Sequence, residues 1–275
     1  MFNFYFLIGI LTLGLIIGCI CSMVGLGGGV LIIPISIFIL NLSAKDAIII
    51  SLMAMTGITI SATIRYIAQR KVNYRLGILY NILDVPGVIV GALLTTMIAE
   101  NFVLGICGIL IIFISVILFR DKEKQHSVPS KSEEEECKSE RFNKGSKWGI
   151  SNPTAACVSS FSGGVLTGIA GLGGGTTDTT SMIMLGMNPK NAAATSEFSM
   201  AMTSVFGLLT HMALGTFQSS WMIPITITIG GVFGAQLGTG LSKKANGQIL
   251  KKGIACSTFY TGIVLVIMML GIIQF

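Results

Sequence analysis

The stretch "GLGGGVLIIP" (25–34) carries a run of five nearly side-chain-free residues, and "GLGGGTTDTT" (171–180) repeats it. Each copy follows a full apolar span and precedes a short apolar segment, 30–41 in one case and 176–187 in the other. Twelve residues of helix rise only about 18 Å, against a hydrocarbon core about 30 Å thick. For either segment to complete a crossing, the glycine run must cover part of the depth in non-helical form. Glycine tolerates the dihedrals such a break needs and leaves the backbone bare for close approach. Irregular backbone persists at membrane depth only where protein or a watered cavity satisfies it.

Working outward, the chain has 275 residues, 52% hydrophobic and 11% charged, with a mean hydropathy of +0.81. Soluble domains carry about 25% charged residues. Apolar segments fall at 3–23, 30–41, 47–68, 76–98, 102–119, 149–170, 176–187, 192–213, 219–240 and 253–273. Runs such as "ILIIFISVILF" (109–119) lack the alternation of a membrane β-barrel, so the spans are read as helices. The first span lacks a basic leader and a small-x-small cleavage site and is expected to be retained. Eight of the 18 basic residues and seven of the 12 acidic ones lie between Arg120 and Lys147. That stretch reads as a polar linker. The expected division is a repeat at 1–119, a linker at 120–148 and a second repeat at 149–275.

The halves stay in register beyond the glycines. "SAKDAIIISLMAM" (43–55) aligns with "NPKNAAATSEFSM" (188–200), sharing Lys45/Lys190, Ala47/Ala192, Ser51/Ser196 and Met55/Met200. "GVIVGALLTT" (87–96) resembles "GGVFGAQLGT" (230–239). Basic residues assign sides. Arg70, Lys71 and Arg75, the linker ends, and Lys243, Lys244, Lys251 and Lys252 should all be cytoplasmic. This holds only if the short segments cross, giving five segments per half, inverted halves and both termini outside. The expected fold is therefore an all-α polytopic membrane protein of eight full spans plus two short broken segments. The alternative for 30–41 and 176–187, re-entry without crossing, places the four lysines on the opposite side.

A helix that starts just after the glycines aims unpaired N–H groups and its positive dipole end at the cavity, which favours an anion. Small-xxx-small spacing also serves helix packing, and Gly14/Gly18, Gly87/Gly91 and Gly230/Gly234/Gly238 are read that way. Duplication before a short segment separates the two GLGGG copies from that reading. Neither is a dinucleotide fingerprint, since Val30 or Thr176 stands where Gly or Ala is wanted. The duplicated motif, within two similar apolar halves joined by a polar loop, resembles the sulfite exporter TauE/SafE family over essentially the whole chain. The resemblance implies a membrane transporter associated with sulfite, sulfonates and related small anions. The first copy keeps the family's proline at Pro34, while the second has Thr180 there and "TTDTT" in place of an aliphatic run.

The expected substrate site comprises the backbone N–H groups of Gly27, Gly28, Gly29, Gly173, Gly174 and Gly175, with Thr176, Thr177 and Gln236 as side-chain donors. Asp178, Glu197 and Asp84 are acids within apolar segments. An ionised acid at the bilayer centre costs on the order of 2.5–3.5 kcal/mol, so each requires a cavity, a partner or a proton. They are candidates for proton coupling, as is His211, the histidine aligned with Tyr66. The competing structural readings are an N-cap for Asp178, a hydrogen-bond acceptor for Glu197 and Asp84, and a helix tie for His211. The function expected is alternating-access transport of a small anion; the rival is a Na⁺ or divalent-cation transporter or channel using the same acids.

Several classes are excluded. There is no nucleophile–base pair, HExxH or CxxC to support an enzyme, and no metal or cofactor is expected. The six cysteines show no metal spacing. A net charge of +6 comes from residues flanking spans, so membrane lipid and not nucleic acid is the expected partner besides the anion. The sequence leaves monomer and homodimer equally open.

Overall fold

The computed structural model describes residues 4–97, 153–184, 189–215 and 217–241, with isolated positions at 102, 105–106, 108–109, 112–113, 115–116, 187, 259, 263 and 266. The linker 120–148 and the lysine loop beyond Leu241 lie outside the described residues. Eight helices are described: α1 Phe4–Val24, α2 Gly29–Phe38, α3 Ala44–Ala68, α4 Tyr74–Met97, α5 Pro153–Ala170, α6 Gly175–Met184, α7 Pro189–Ala213 and α8 Met222–Leu241. Among the described residues there is no strand. The short helices α2 and α6 begin on the last glycine of each GLGGG, as the pattern predicts.

Four helices, α1, α3, α4 and α8, are long and apolar enough to cross a membrane. Helix α7 is as long as α3. Its interior carries Thr195, Ser196, Glu197, Ser199, Thr203, Ser204 and His211, all buried. It packs against α3, α4 and α6, so these polar groups meet protein. At the start of α3, Ser43 Oγ accepts the Asp46 N–H at 3.1 Å and caps the helix. The Asp46 carboxylate in turn accepts the Gln218 N–H at 2.9 Å and the Ser219 hydroxyl at 2.7 Å, tying α3 to the α7–α8 connection.

Small residues set the tightest crossings. A Cβ on Gly14 or Gly18 would strike the backbone of Ile227 or Gly231, and one on Gly234 or Gly238 would strike the carbonyls of Leu15 or Cys19. Between α4 and α5 the same holds, with Gly87 on Phe161 and Val165, and Gly164 and Gly168 on the carbonyls of Asp84 and Val88. These glycines are packing residues, as their spacing indicates.

The contacts recur in pairs. Gly18 meets the Gly231 carbonyl as Gly164 meets that of Asp84. Tyr66 donates to the Ser22 carbonyl at 2.8 Å, and His211 Nε2 lies 3.0 Å from that of Gly168. The pairs differ from the register read from sequence: Gly87, facing Phe161/Val165, has contacts like those of Gly234, facing Leu15/Cys19, and not those of Gly230. Glycines repeating every four residues match almost equally well one turn away, and only the partner helix fixes the choice.

Helix directions follow from the same contacts. Along α1 and α8, contacts advance together from Gly14/Ile227 to Gly18/Gly231. Along α3 and α8 they advance from Gly57/Thr228 to Ser61/Val232. Helices α1, α3 and α8 thus run one way. The pairs Tyr80/Ser160 and Val88/Gly168 make α4 and α5 parallel, and Asn73/Thr195 and Asn81/Thr203 make α4 and α7 parallel. The short α3–α4 connection sets this second group against the first. Since α1 and α3 run the same way, the chain between them must return, and α2 does so. Ser22, bonded by Tyr66, sits level with the C-terminal part of α3, whereas Gly28 sits against Ile58. The glycine loop itself covers that descent.

Candidate functional site

The two glycine loops meet at the centre of the bundle. Gly25, Gly27, Gly28, Gly171 and Gly173 all have positive φ, between 60° and 106°. A side chain at any of them would be strained, which is why both copies are glycine. Residues 25–30 and 171–175 are all buried. A Cβ on Gly29 would strike the backbone of Gly171 and Leu172, and one on Gly175 would sit 2.9 Å from the Gly25 carbonyl oxygen. The loops therefore lie backbone against backbone. Ser51 Oγ donates to the Gly171 carbonyl at 2.7 Å, pinning the second loop to α3. Thr179 Oγ1 donates to the Gly25 carbonyl at 3.4 Å, pinning the first loop to α6.

Helix α2 closes its first turn on the Gly28 carbonyl, which accepts the N–H groups of Leu31 and Ile32, both at 3.1 Å. The N–H groups ahead of them have no intrahelical acceptor. In α6, Asp178 N–H donates to the Gly174 carbonyl at 2.8 Å, and the Thr177 hydroxyl shares that acceptor at 2.7 Å. The Thr177 hydroxyl proton is thus committed to its own loop in this conformation. The Thr176 side chain lies outside the described residues. Gln236 is not at the loops: its Nε2 donates to the Ser61 carbonyl and Oγ, both at 2.9 Å, and its Oε1 accepts from Arg65 at 3.4 Å.

Two side chains that the sequence reading did not single out fill the space beside the loops. A Cβ on Gly27 would lie 2.7 Å from the sulfur of Met200 and 3.2 Å from that of Met55. One on Gly173 would lie 2.6 Å from the Met55 sulfur and 3.4 Å from the Met200 sulfur. Both methionines are buried. The alignment that pairs Met55 with Met200 was the available signal. A thioether on three rotatable bonds fills such a gap and leaves it without strain.

The acids separate into two places. Asp84 on α4 accepts the Ser160 hydroxyl at 2.9 Å on Oδ1, and those of Ser199 and Thr203 at 3.2 and 3.4 Å on Oδ2. Asp178 is fully buried, and among the described residues neither carboxyl oxygen has a hydrogen-bond donor. Its N-cap reading fails on that ground. It faces Asp84 within hydrogen-bond reach. Glu197 is also fully buried with both oxygens unpartnered, but it stands beside the Gly27 backbone and Cys21. His211 belongs to neither group; its bond to Gly168 is the counterpart of the Tyr66 tie.

The chain matches the model of the sulfite exporter TauE/SafE family over residues 10–265. It is 28% identical over 270 residues to the probable membrane transporter protein YunE of Bacillus subtilis (strain 168), an alignment covering 92% of this chain and 97% of that one. No solved structure matches. With the family match spanning nearly the whole chain, this protein belongs to the sulfite exporter TauE/SafE family of membrane transporters.

Proposed function

We propose that this protein is a secondary transporter, working as an exporter, of a small anion such as sulfite, a sulfonate or a related sulfur oxyanion or organic acid. The observation that carries this reading is the buried crossing of the two GLGGG loops, each opening a short helix whose first N–H groups lack an intrahelical acceptor. Helix starts of this kind favour negative charge, and broken helices meeting at a repeat interface are a recurrent transporter site. Gly27–Gly29 and Gly173–Gly175 supply the donors, with Thr176 and Thr177 beside them. Met55 and Met200 occupy the same space in this closed form and must swing aside for cargo.

The architecture proposed is two inverted repeats that rock against each other. What supports it is that α1, α3 and α8 run against α5, α7 and α4, their respective counterparts. In this frame the ends of α3 and α8 and the start of α5 share one side. The basic clusters Arg70/Lys71/Arg75, the linker and the lysine loop then share the cytoplasmic side, with the N-terminus outside. Proton coupling is part of the proposal, and Glu197 takes part at the first loop. Its carboxylate occupies the position an anion would take there, so anion entry requires it to move or to accept a proton.

Thermal stabilisation of the detergent-purified chain by sulfite, sulfonates, thiosulfate, sulfate and carboxylates tests this, with Na⁺ and divalent cations as the opposing panel. A selective oxyanion shift is expected, since binding to the native state raises apparent stability. A shift by cations alone, lost in Asp178→Asn, would overturn it in favour of a cation carrier.

A further inference from the structure

The acid cluster at the α4–α5–α6–α7 junction has no equivalent in the other half of the bundle. By the paired contacts, Asp84 corresponds to Gly231, Asp178 to Ile32, Thr203 to Ile58 and Gly163 to Ile17. A Cβ on Gly28 would touch Ile58, Ile32 and Ile17, where one on Gly174 touches Asp178 and Gly163. A Cβ on Gly231 would run into Ile58 at 2.6 Å. One junction is thus packed with isoleucine, and the other is packed with carboxyls and hydroxyls. Packing alone is served by the apolar solution, so the polar one needs a different cause.

The polar junction is short of protons. Three hydroxyls surround Asp84, and each has one proton to give. Ser160 Oγ lies nearer the Tyr80 carbonyl, at 2.6 Å, than Asp84. Thr203 Oγ1 lies nearer the Ser199 carbonyl and Asn81 Oδ1, at 3.0 and 3.1 Å, than Asp84, which leaves Ser199, at 3.2 Å, as the hydroxyl whose proton goes to Asp84. Tyr80 and Ser181 are joined at 2.6 Å, and the Ser181 proton goes to the Asp178 carbonyl at 3.1 Å, so that pair donates to neither carboxyl. Asp178 receives nothing and faces Asp84, an acceptor set against an acceptor. Two ionised carboxylates cannot share such a place in a low-dielectric interior.

We propose that Asp84 and Asp178 form one proton-binding site, holding a single proton between their carboxyl groups in the closed transporter and releasing it when α4 and α6 separate. The proposal rests on the transporter reading above and identifies its coupling site. The other titratable group facing the pair is Tyr80 from α4, with Cys157 of α5 near Tyr80. From α7 only the Ser199 and Thr203 hydroxyls reach it. No Lys or Arg occurs in α5 or α6, and Arg75 on α4 and Lys190 on α7 lie at exposed ends. With no basic side chain facing the pair among the described residues, a proton is the group that completes it. Because the isoleucine junction has no counterpart site, the two halves carry one such proton between them.

Infrared difference spectroscopy between acidic and alkaline buffer, on the full chain in lipid vesicles, reads the proton through the carbonyl stretch of a protonated carboxyl. One band is expected to disappear completely in Asp84→Asn and equally in Asp178→Asn, since the Asn amide then donates to the remaining carboxylate. Two bands, one lost in each variant, would mean independent acids and overturn a shared proton, as would the absence of any band that both changes remove; a band lost in Glu197→Gln belongs to that separate acid. Ser199→Ala, which removes the one hydroxyl whose proton goes to Asp84, is expected to keep the band but move the pH at which it titrates. Stabilisation of the wild type by Na⁺ at fixed pH, lost in both Asn variants, would replace the proton with a metal cation. Oxyanion stabilisation measured on the same samples separates the outcomes: its presence without the band refutes this site alone, and the band without it refutes the anion reading alone.

Discussion

Gly29→Ala is the substitution whose outcome depends most on the crossing of the two loops. Gly29 has ordinary helical φ, so alanine brings no backbone strain there and slightly favours α2 by propensity. Everything unfavourable comes from across the interface. The added methyl meets the Gly171 carbonyl and lies 2.8 Å from both the carbonyl carbon and the oxygen of Leu172. Ordinary contact begins near 3.4 Å, so the second loop must retreat by about 1 Å, the Gly171 carbonyl being the nearest obstacle. It cannot retreat freely, because Ser51 holds the Gly171 carbonyl. Overpacking by one methyl costs about 1–3 kcal/mol, and stretching that hydrogen bond adds about 1 kcal/mol. Against a propensity gain of at most about 1 kcal/mol, the net cost is roughly 1–4 kcal/mol. At roughly 2–4 °C per kcal/mol for a chain of this size, the apparent melting temperature should fall by about 2–16 °C. Gly9→Ala, with nothing within 4 Å of its new methyl, is the matched control and should melt at or above wild type. Melting curves of the two purified variants decide the matter. Gly29→Ala melting with the control would refute the crossing.

Three further outcomes follow from the same contacts. Gly18→Val puts a branched side chain into the Gly231 backbone and should cost more than about 3 kcal/mol, seen as loss of folded protein by size exclusion. Tyr66→Phe and His211→Phe each remove one tie to a helix-end carbonyl; each should lower stability by about 1 kcal/mol and leave the pH dependence of flux unchanged. A flux profile that shifts in His211→Phe would return the histidine to the proton path. Glu197→Gln removes the charge beside Gly27, so oxyanion binding measured by calorimetry should persist to higher pH than in wild type. Identical pH profiles would remove Glu197 from the site.

Much of the fold was legible because bilayer physics constrains sequence so strongly. The apolar runs gave α1, α3, α4 and α8 to within a few residues, and the GLGGG copies gave the starts of α2 and α6. Glycine at four-residue spacing marked α1, α4 and α8 as close-packing helices without naming their partners. Which turn meets which was not legible, because a four-residue repeat looks the same one turn away; only the Phe161/Leu15 contacts separate Gly230 from Gly234. The acids were visible one by one but not as a pair. Asp84 and Asp178 lie in different halves, and helix periodicity reports which face a residue is on, not what that face meets. Glu197 likewise reaches the first loop from the second half. The methionines were hidden for a different reason: a buried Met in an apolar helix is ordinary, and only its contact with a glycine loop gives it meaning.

Anion transport by this chain depends on whether the crossed loops bind the transported anion. The most direct measurement is flux of labelled sulfite through the full chain in sealed vesicles, for wild type and for Gly174→Ala. Gly174 has no positive φ, and a methyl there makes only ordinary contacts, at 3.4 Å or more, so the variant should fold. Saturable flux in wild type, reduced at least tenfold in a Gly174→Ala variant of unchanged melting temperature, is the predicted result. Equal flux in the two proteins, or flux of Na⁺ with none of sulfite or any other oxyanion, would contradict it.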